Sequence, residues 1–366
     1  MIAHSSCSRV TRLYLRRFLC QPGRRYASTS TSDHVNIIEM GPRDGLQNEK
    51  NAIPLATKLE LIDRLARTGL RTIEAGSFVS PKWVPQMANS SEILQSILQK
   101  PPESPTPIVY QFLVPNAKGA GNFLSVFQNS SSNQSSYDPL TPPPSPTSEP
   151  SAARPEVELS IFTAATEAFT QKNTNCTIAE SLERFKPIFA LGKDNDIRVR
   201  AYISVALGCP YEGPDVDPHK VADLAVNLLE MGATEISVAD TTGMGTAPKT
   251  RNLLKTLSAA GVEPQDLALH FHDTYGQALV NTVVGLEAGV RAFDSAVGGL
   301  GGCPYSPGAT GNVSSEDMVH LFESLGLKTG IDMAKLAEVG EWISKEVGRA
   351  NESRAGKATL ARLRGT

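Results

Sequence analysis

From residue 35 onward the chain alternates between short β-branched runs and longer stretches with helical apolar spacing. The strand-like runs are VNIIEMG (35–41), RTIEAG (71–76), PIVYQFLVP (107–115), EVELSIF (156–162), IRVRAYISV (197–205), EISVAD (235–240), LALHFHD (267–273) and RAFDSAV (291–297). Between them, 56–69 places Leu59, Ile62 and Leu65 on one helical face and ends at a glycine. The segment 217–232 opens with Asp217 and Pro218, a cap and first-turn pair, and also ends at a glycine; 276–289 reads the same way. Eight strands separated by helices predict parallel βαβ units, and eight such units are the content of a TIM (β/α)8 barrel. The pattern assigns an α/β barrel to 33–330. A C-terminal extension, 331–366, carries one or two helices over 332–353, packed on the barrel or on a partner chain.

Two segments depart from this rhythm. The first 32 residues contain no Asp or Glu but carry Arg9, Arg12, Arg16, Arg17, Arg24 and Arg25 among many Ser and Thr. An Arg-rich, Ser-rich, acid-poor start is the signature of a mitochondrial transit peptide, here 1–26, with RRYAS as the cleavage site after Tyr26 and the mitochondrial matrix as destination. The second is the Ser/Pro-rich run 128–155, which has almost no large apolar side chain to offset its ordering entropy. It is expected to be a disordered insertion between the third helix and the fourth strand, on the barrel face away from chemistry.

Charge and cysteines narrow the function. A formal net charge of −3 leaves no electrostatic footprint for nucleic acid or an anionic membrane, and no run approaches the roughly 20 apolar residues of a membrane span. Five scattered cysteines do not make a disulfide scaffold. Cys7 and Cys20 fall in the leader, Cys176 reads as inert, Cys209 stands at the end of strand five in a GCPY setting and reads either as packed or as a site thiol, and Cys303 stands in a glycine-rich loop with the same GCPY sequence.

The polar residues out of place in apolar strands converge. Arg43 and Asp44 follow strand one, Glu74 lies near the end of strand two, Asp240 ends strand six, His270 and His272 lie on strand seven, and Cys303 and Asn312 follow strand eight. All fall at C-terminal strand ends, where barrel enzymes keep their active sites. Residues i and i+2 of a strand share a face, so both imidazoles point one way and Phe271 the other. The bland alternative is a pair of satisfied core histidines. Two near a strand end, with a carboxylate supplied by strand one, favour a metal held by His270, His272 and Asp44 plus a carbonyl oxygen such as that of Asn312. Mixed nitrogen and oxygen donors suit six-coordinate Mg2+ or Mn2+ more than closed tetrahedral zinc; the same set also fits Fe(II), and Asp273 could orient a ligand from outside. Arg43 could be a turn ion pair, but beside a metal ligand its planar fork suits an oxygen that becomes an enolate. The loop 296–312 lacks the spacing and the lysine of a phosphate cradle. It reads as a lid carrying Cys303 as an acid or base.

Five segments resemble the 3-hydroxy-3-methylglutaryl-CoA lyases: GPRDGLQNEK (41–50), SFVSPKWVPQM (77–87), ALGCPYEG (206–213), HDTYGQAL (272–279) and GLGGCPY with GATGN (299–312). The resemblance spans about 35–350, interrupted at the Ser/Pro run; IEAGSF (73–78) and SVADTTG (237–243) depart from it beside Glu74 and Asp240. It implies a divalent-metal lyase, commonly a homodimer, that cleaves an acyl-CoA to acetoacetate and acetyl-CoA in leucine degradation and ketone-body formation. It implies Asp44, His270, His272 and Asn312 as metal ligands and Arg43 for substrate and enolate. Cys303 becomes the catalytic thiol, with Glu74 as a catalytic carboxylate and His270 or Glu74 sharing proton transfer. The alternative is a related acyl-CoA lyase or a condensing synthase of the homocitrate or isopropylmalate type, which shares the Arg-Asp and HxH features but is not expected to carry the GGCPY loop. An iron oxygenase and a silent metal scaffold fit the residues less well.

The leader is checked by N-terminal sequencing of the protein purified from the organelle. The expected first residue is Ala27; an intact Met1 contradicts the reading.

Overall fold

The computed structural model describes residues 33–132, 154–302 and 310–365. All eight predicted strands are present, with ends trimmed or extended by a few residues: β1 (Asn36–Glu39), β2 (Thr72–Ser77), β3 (Val109–Leu113), β4 (Glu156–Ala164), β5 (Arg198–Ser204), β6 (Glu235–Asp240), β7 (Leu267–Phe271) and β8 (Ala292–Ser295). They form a closed parallel barrel in sequence order, with β8 returning to β1 through Asn36 opposite Ala292 and Glu39 opposite Ser295. The surrounding helices are α1 (Leu55–Ala66), α2 (Ser90–Gln99), α3 (Ala117–Ser132), α4 (Glu167–Thr174), α5 (Ile178–Asp194), α6 (Pro218–Met231), α7 (Ala247–Ala259), α8 (Ala278–Glu287), α9 (Ser315–Ser324), α10 (Met333–Glu346) and α11 (Arg354–Arg364). No helix among the described residues is long and apolar enough to cross a membrane.

Strand alternation sorts the side chains. Leu159, Ile161, Val199, Ala201, Ile203, Ile236 and Val238 face outward into one continuous apolar layer between barrel and helices. The inward positions are largely polar or charged, and Ile38, Met40, Leu113 and Tyr202 form a buried apolar cluster of their own inside. The helix signals act as their chemistry requires. The Asp217 carboxylate accepts the His219 N–H, and α6 stops at Gly232, whose φ of 116° suits a residue without Cβ. Thr177 and Glu180 close a reciprocal cap on α5.

The first five residues of the expected insertion, 128–132, are helical. They continue α3, where Ser130 bonds back to the Val126 carbonyl, and the Arg154 guanidinium lies over the Phe127 ring. Residues 133–153 lie outside the described residues, as do the leader and 303–309 with Cys303. The C-terminal pair is α10 and α11, the second beginning beyond the predicted span. They pack on the barrel: the Asp332 N–H donates to Thr68 O and the Glu352 N–H to Gly298 O.

Two buried carboxylates hold the ends of β1 and β8 in place. Glu39 accepts the Gly41 N–H at 2.7 Å, the Val297 N–H at 2.9 Å and the Ser315 hydroxyl at 2.5 Å. Glu316 accepts the Gly298 N–H at 2.9 Å. Burial pushes Glu39 up to about 7. Burial pushes Glu316 up to about 8, with repulsion from Glu39 and Asp317 adding to it. A folded-state value above the unfolded one binds the proton more tightly in the native protein, so the stability it contributes is full at low pH and is lost as pH rises through the raised value. We therefore expect Glu316→Gln to flatten the fall of Tm between pH 5 and pH 8 relative to wild type; parallel Tm profiles contradict this.

Candidate metal centre and active site

The first site residues sit on a wide turn directly after β1. The Gly45 N–H reaches back five residues to the Met40 carbonyl at 3.0 Å, π-helical pairing of the kind that often marks functional positions. This turn aims Arg43 into the barrel mouth. Its Nε donates to Glu74 Oε2 at 2.7 Å, Nη2 lies 2.6 Å from the same oxygen, and Nη1 donates to Asp44 Oδ1 at 2.7 Å. The other Glu74 oxygen accepts the Ser160 hydroxyl at 2.7 Å. Glu74 lies at the middle of β2, just before a register shift against β3 that redirects the strand. Burial works against the Arg43 charge, but Glu74 and Asp44 outweigh it and keep the guanidinium protonated. Burial likewise opposes the Asp44 charge; Arg43, His270 and a hydrogen bond from Asn312 overcome it and bring Asp44 down to about 2.

The two histidines face inward together, as their spacing predicts, with centroids 5.3 Å apart, while Phe271 joins the outer apolar layer. Donor atoms of Asp44, His270 and His272 all lie within 4.8 Å of one another. Among the described residues this is the group of three or more such side chains able to hold a metal ion. Burial, with His270 adding to it and Asp44 opposing, lowers His272 to about 3, so its ring is neutral.

Asn312 arrives from the segment after β8. The Asp273 N–H donates to Gly311 O at 2.7 Å and the Val313 N–H to Phe271 O at 3.2 Å, which seats Asn312 opposite His272 in an antiparallel bridge. Its Nδ2 donates to Asp44 Oδ2 at 2.8 Å. Gly301, at φ 106°, passes where a Cβ would stand 2.7 Å from that amide nitrogen. Gly302 and Thr310 pair across the base of the segment that carries Cys303.

The donor set fits a divalent cation. His272 Nδ1 and Asn312 Oδ1 are buried with no hydrogen-bond partner. A buried acceptor left alone costs roughly 1–3 kcal/mol, and a cation beside Asp44 would satisfy both. Two imidazoles, a carboxylate and an amide oxygen are a mixed set suited to a divalent cation with positions to spare.

Asp240 is brought to the same rim. Its Oδ2 accepts the Gly245 N–H at 2.9 Å, its Oδ1 is buried without a partner, and burial pushes it up to about 6. Cys209 is not presented for chemistry: it is buried in a small apolar cluster with Ala164, Phe169 and Val205. Cys176 is also buried.

Sequence patterning did not single out a charged layer inside the barrel. Arg200, fully buried, donates through Nε to Glu235 at 2.6 Å, through Nη1 to the Tyr202 hydroxyl at 2.6 Å and through Nη2 to Asp294 Oδ1 at 2.5 Å. Asp294 Oδ2 accepts the Ser237 hydroxyl at 2.8 Å and faces His270 Nδ1 at 3.3 Å. The Tyr202 ring lies between two cations, 4.7 Å from Arg200 and 5.7 Å from Arg43. The available signal was the i, i+2 spacing of Arg200 and Tyr202, which puts both on the inward face of β5.

Comparison with known proteins agrees with the barrel fold. The chain is 47% identical over 328 residues, 90% of its length and 98% of the relative's, to the 3-hydroxy-3-isohexenylglutaryl-CoA/hydroxymethylglutaryl-CoA lyase of Pseudomonas aeruginosa. It is 43% identical over 354 residues, 96% of its length and 98% of the relative's, to the mitochondrial hydroxymethylglutaryl-CoA lyase of Macaca fascicularis. The crystal structure of the hydroxymethylglutaryl-CoA lyase from Pseudomonas aeruginosa superposes with a TM-score of 0.78 at 46% identity, covering 90% of this chain and 98% of that one. Residues 34–124 and 147–343 match the HMGL-like family, and the chain belongs to it.

Proposed function

We propose that this protein is a metal-dependent carbon–carbon lyase that cleaves 3-hydroxy-3-methylglutaryl-CoA to acetoacetate and acetyl-CoA. The observation that carries the reading is the buried Asp44–His270–His272 cluster set directly beside the clamped Arg43 fork at the C-terminal end of the barrel. Relatives at 43–47% identity over nine-tenths or more of the chain are named for this reaction.

In this reading Asp44, His270, His272 and Asn312 hold the divalent ion, Mg2+ or Mn2+. When bound, such an ion lowers the pKa of a coordinated hydroxyl and neutralises a neighbouring carboxylate. The protein's own groups do the rest. Asp240, with one free buried oxygen and a value of about 6, is matched to taking the tertiary hydroxyl proton near neutral pH. As the C–C bond breaks, its electron pair moves into the thioester, and Arg43 donates to the oxygen that becomes the enolate. Glu74 and Asp44 fix the direction of that fork, so Glu74 acts through Arg43. Cys303 delivers the proton to the enolate carbon and completes acetyl-CoA. The matrix is the compartment this reading favours, supported by the Arg-rich, acid-poor leader and by a relative named mitochondrial.

Acetoacetate release from 3-hydroxy-3-methylglutaryl-CoA by purified 27–366 tests the proposal. Release is expected with Mg2+ or Mn2+, lost with chelator and lost in His272→Ala. Absence of release with every metal tried contradicts it. Cys303→Ser should lower kcat by roughly 10²–10⁴, the span of a general acid–base group; wild-type turnover would remove Cys303 from the chemistry.

A further inference from the structure

The two histidines of the metal cluster are not equivalent. His272 Nδ1 is buried and unpartnered, whereas His270 Nδ1 faces a carboxylate. We infer that Asp294 is the positioning residue of His270: its carboxylate holds the Nδ1 proton and leaves Nε2 as the ring nitrogen with a free lone pair. The inference deepens the reading of the site as a metal centre and rests on it for the use made of Nε2.

The barrel register makes the pair. His270 and Asp294 stand directly opposite each other on β7 and β8, and both side chains point inward. Neighbouring strands lie about 4.8 Å apart, so a short carboxylate on one meets the near nitrogen of an imidazole on the other. The Nδ1–Oδ2 separation is 3.3 Å.

The rest of the network decides which atom carries the proton. Asp294 is fully buried, and its other oxygen is bound to the Arg200 guanidinium at 2.5 Å. Ser237 donates its hydroxyl to the same oxygen that faces His270, at 2.8 Å. A carboxylate bound to a guanidinium and a donated hydroxyl is an acceptor only, so the imidazole nitrogen facing it must be the N–H. Arg200 is itself fixed: Glu235 takes Nε and the Tyr202 hydroxyl takes Nη1. The line Glu235–Arg200–Asp294–His270 therefore runs from the barrel interior to the metal ligands with donors and acceptors alternating. A carboxylate behind a ligating histidine fixes its tautomer and ring plane and raises the basicity of the other nitrogen, and losing such a partner typically costs 10–100-fold in metal affinity. His272 lacks this support, so His270 is the ligand whose orientation the fold prepares in advance.

The direct test uses the unmutated protein, loaded with diamagnetic Mg2+ and labelled with ¹⁵N at histidine. The chain has 6 histidines, and the His270 ring is assigned by the signal lost in His270→Asn. Long-range ¹H–¹⁵N correlation should show Nδ1 protonated in His270. Protonation at Nε2 with Nδ1 bare overturns the inference. The second test is Mn2+ binding by calorimetry: Asp294→Asn, shown to be folded by circular dichroism, should weaken Mn2+ about 10–100-fold. Ser237→Ala, which keeps the carboxylate and Arg200, should stay within a few-fold. Unchanged Mn2+ affinity in folded Asp294→Asn overturns the inference. If Asp294→Asn does not fold because Arg200 loses its partner, the spectrum of the wild-type protein decides. Neither readout involves the thioester, so failure here is distinguishable from failure of the proposed reaction.

Discussion

The guanidinium of Arg43, gripped by Glu74 on one side and Asp44 on the other, is the interaction on which the site depends. It ties the turn after β1 to the middle of β2 and orients Asp44 of the candidate metal cluster with the same contact. Breaking such a buried pair by removing one partner leaves an uncompensated charge and typically costs about 3–5 kcal/mol. Neighbouring groups are arranged to avoid this. Ser160 occupies the second Glu74 oxygen, and Asn312 occupies the second Asp44 oxygen. Arg43 is thereby held in one direction, and in the proposed reaction a preorganised donor of that kind would act on the charge that develops as the bond breaks.

A barrel whose inward face is charged must place its apolar core elsewhere. Here the core lies between strands and helices, and inside the barrel two arginines, Arg43 and Arg200, are each paired with two carboxylates, Asp44 and Glu74 for the first and Glu235 and Asp294 for the second. Tyr202 separates the two cations and gives its ring to both. The rim is tied to this interior through Glu39, which bonds the turn carrying Arg43 and Asp44 to the turn after β8. The segment that brings Asn312 to His272 starts from that second turn, so the β1 and β8 ends of the site are mechanically one piece.

Much of this was legible in the chain. The eight strands were readable because parallel strands covered by helices are short, rich in branched apolar residues and punctuated by helix caps and glycines. The shared direction of His270 and His272 followed from strand periodicity alone. Asn312 was different: its place beside Asp44 depends on an antiparallel bridge to His272, a long-range contact with no local signal; its position after strand eight offered it as one oxygen donor, and the family resemblance singled it out. Asp294 and Arg200 were passed over for a related reason. A lone acid in a four-residue strand and an arginine among valines look like surface positions until the closed barrel turns them inward and sets them against each other. Residues 128–132 were misjudged because Gln, Asn and Ser suggest a loop, while α3 carries them on through its own backbone ladder.

A crystal of the protein grown with Mn2+ and measured at the manganese absorption edge would show whether Asp44, His270, His272 and Asn312 form one cation site beside Arg43. An anomalous peak bonded to His270, His272, Asp44 and the Asn312 side-chain oxygen is expected, with Arg43 still held by Glu74. A Mn2+ ion bound elsewhere, with His272 and Asn312 turned away from Asp44, would contradict that site.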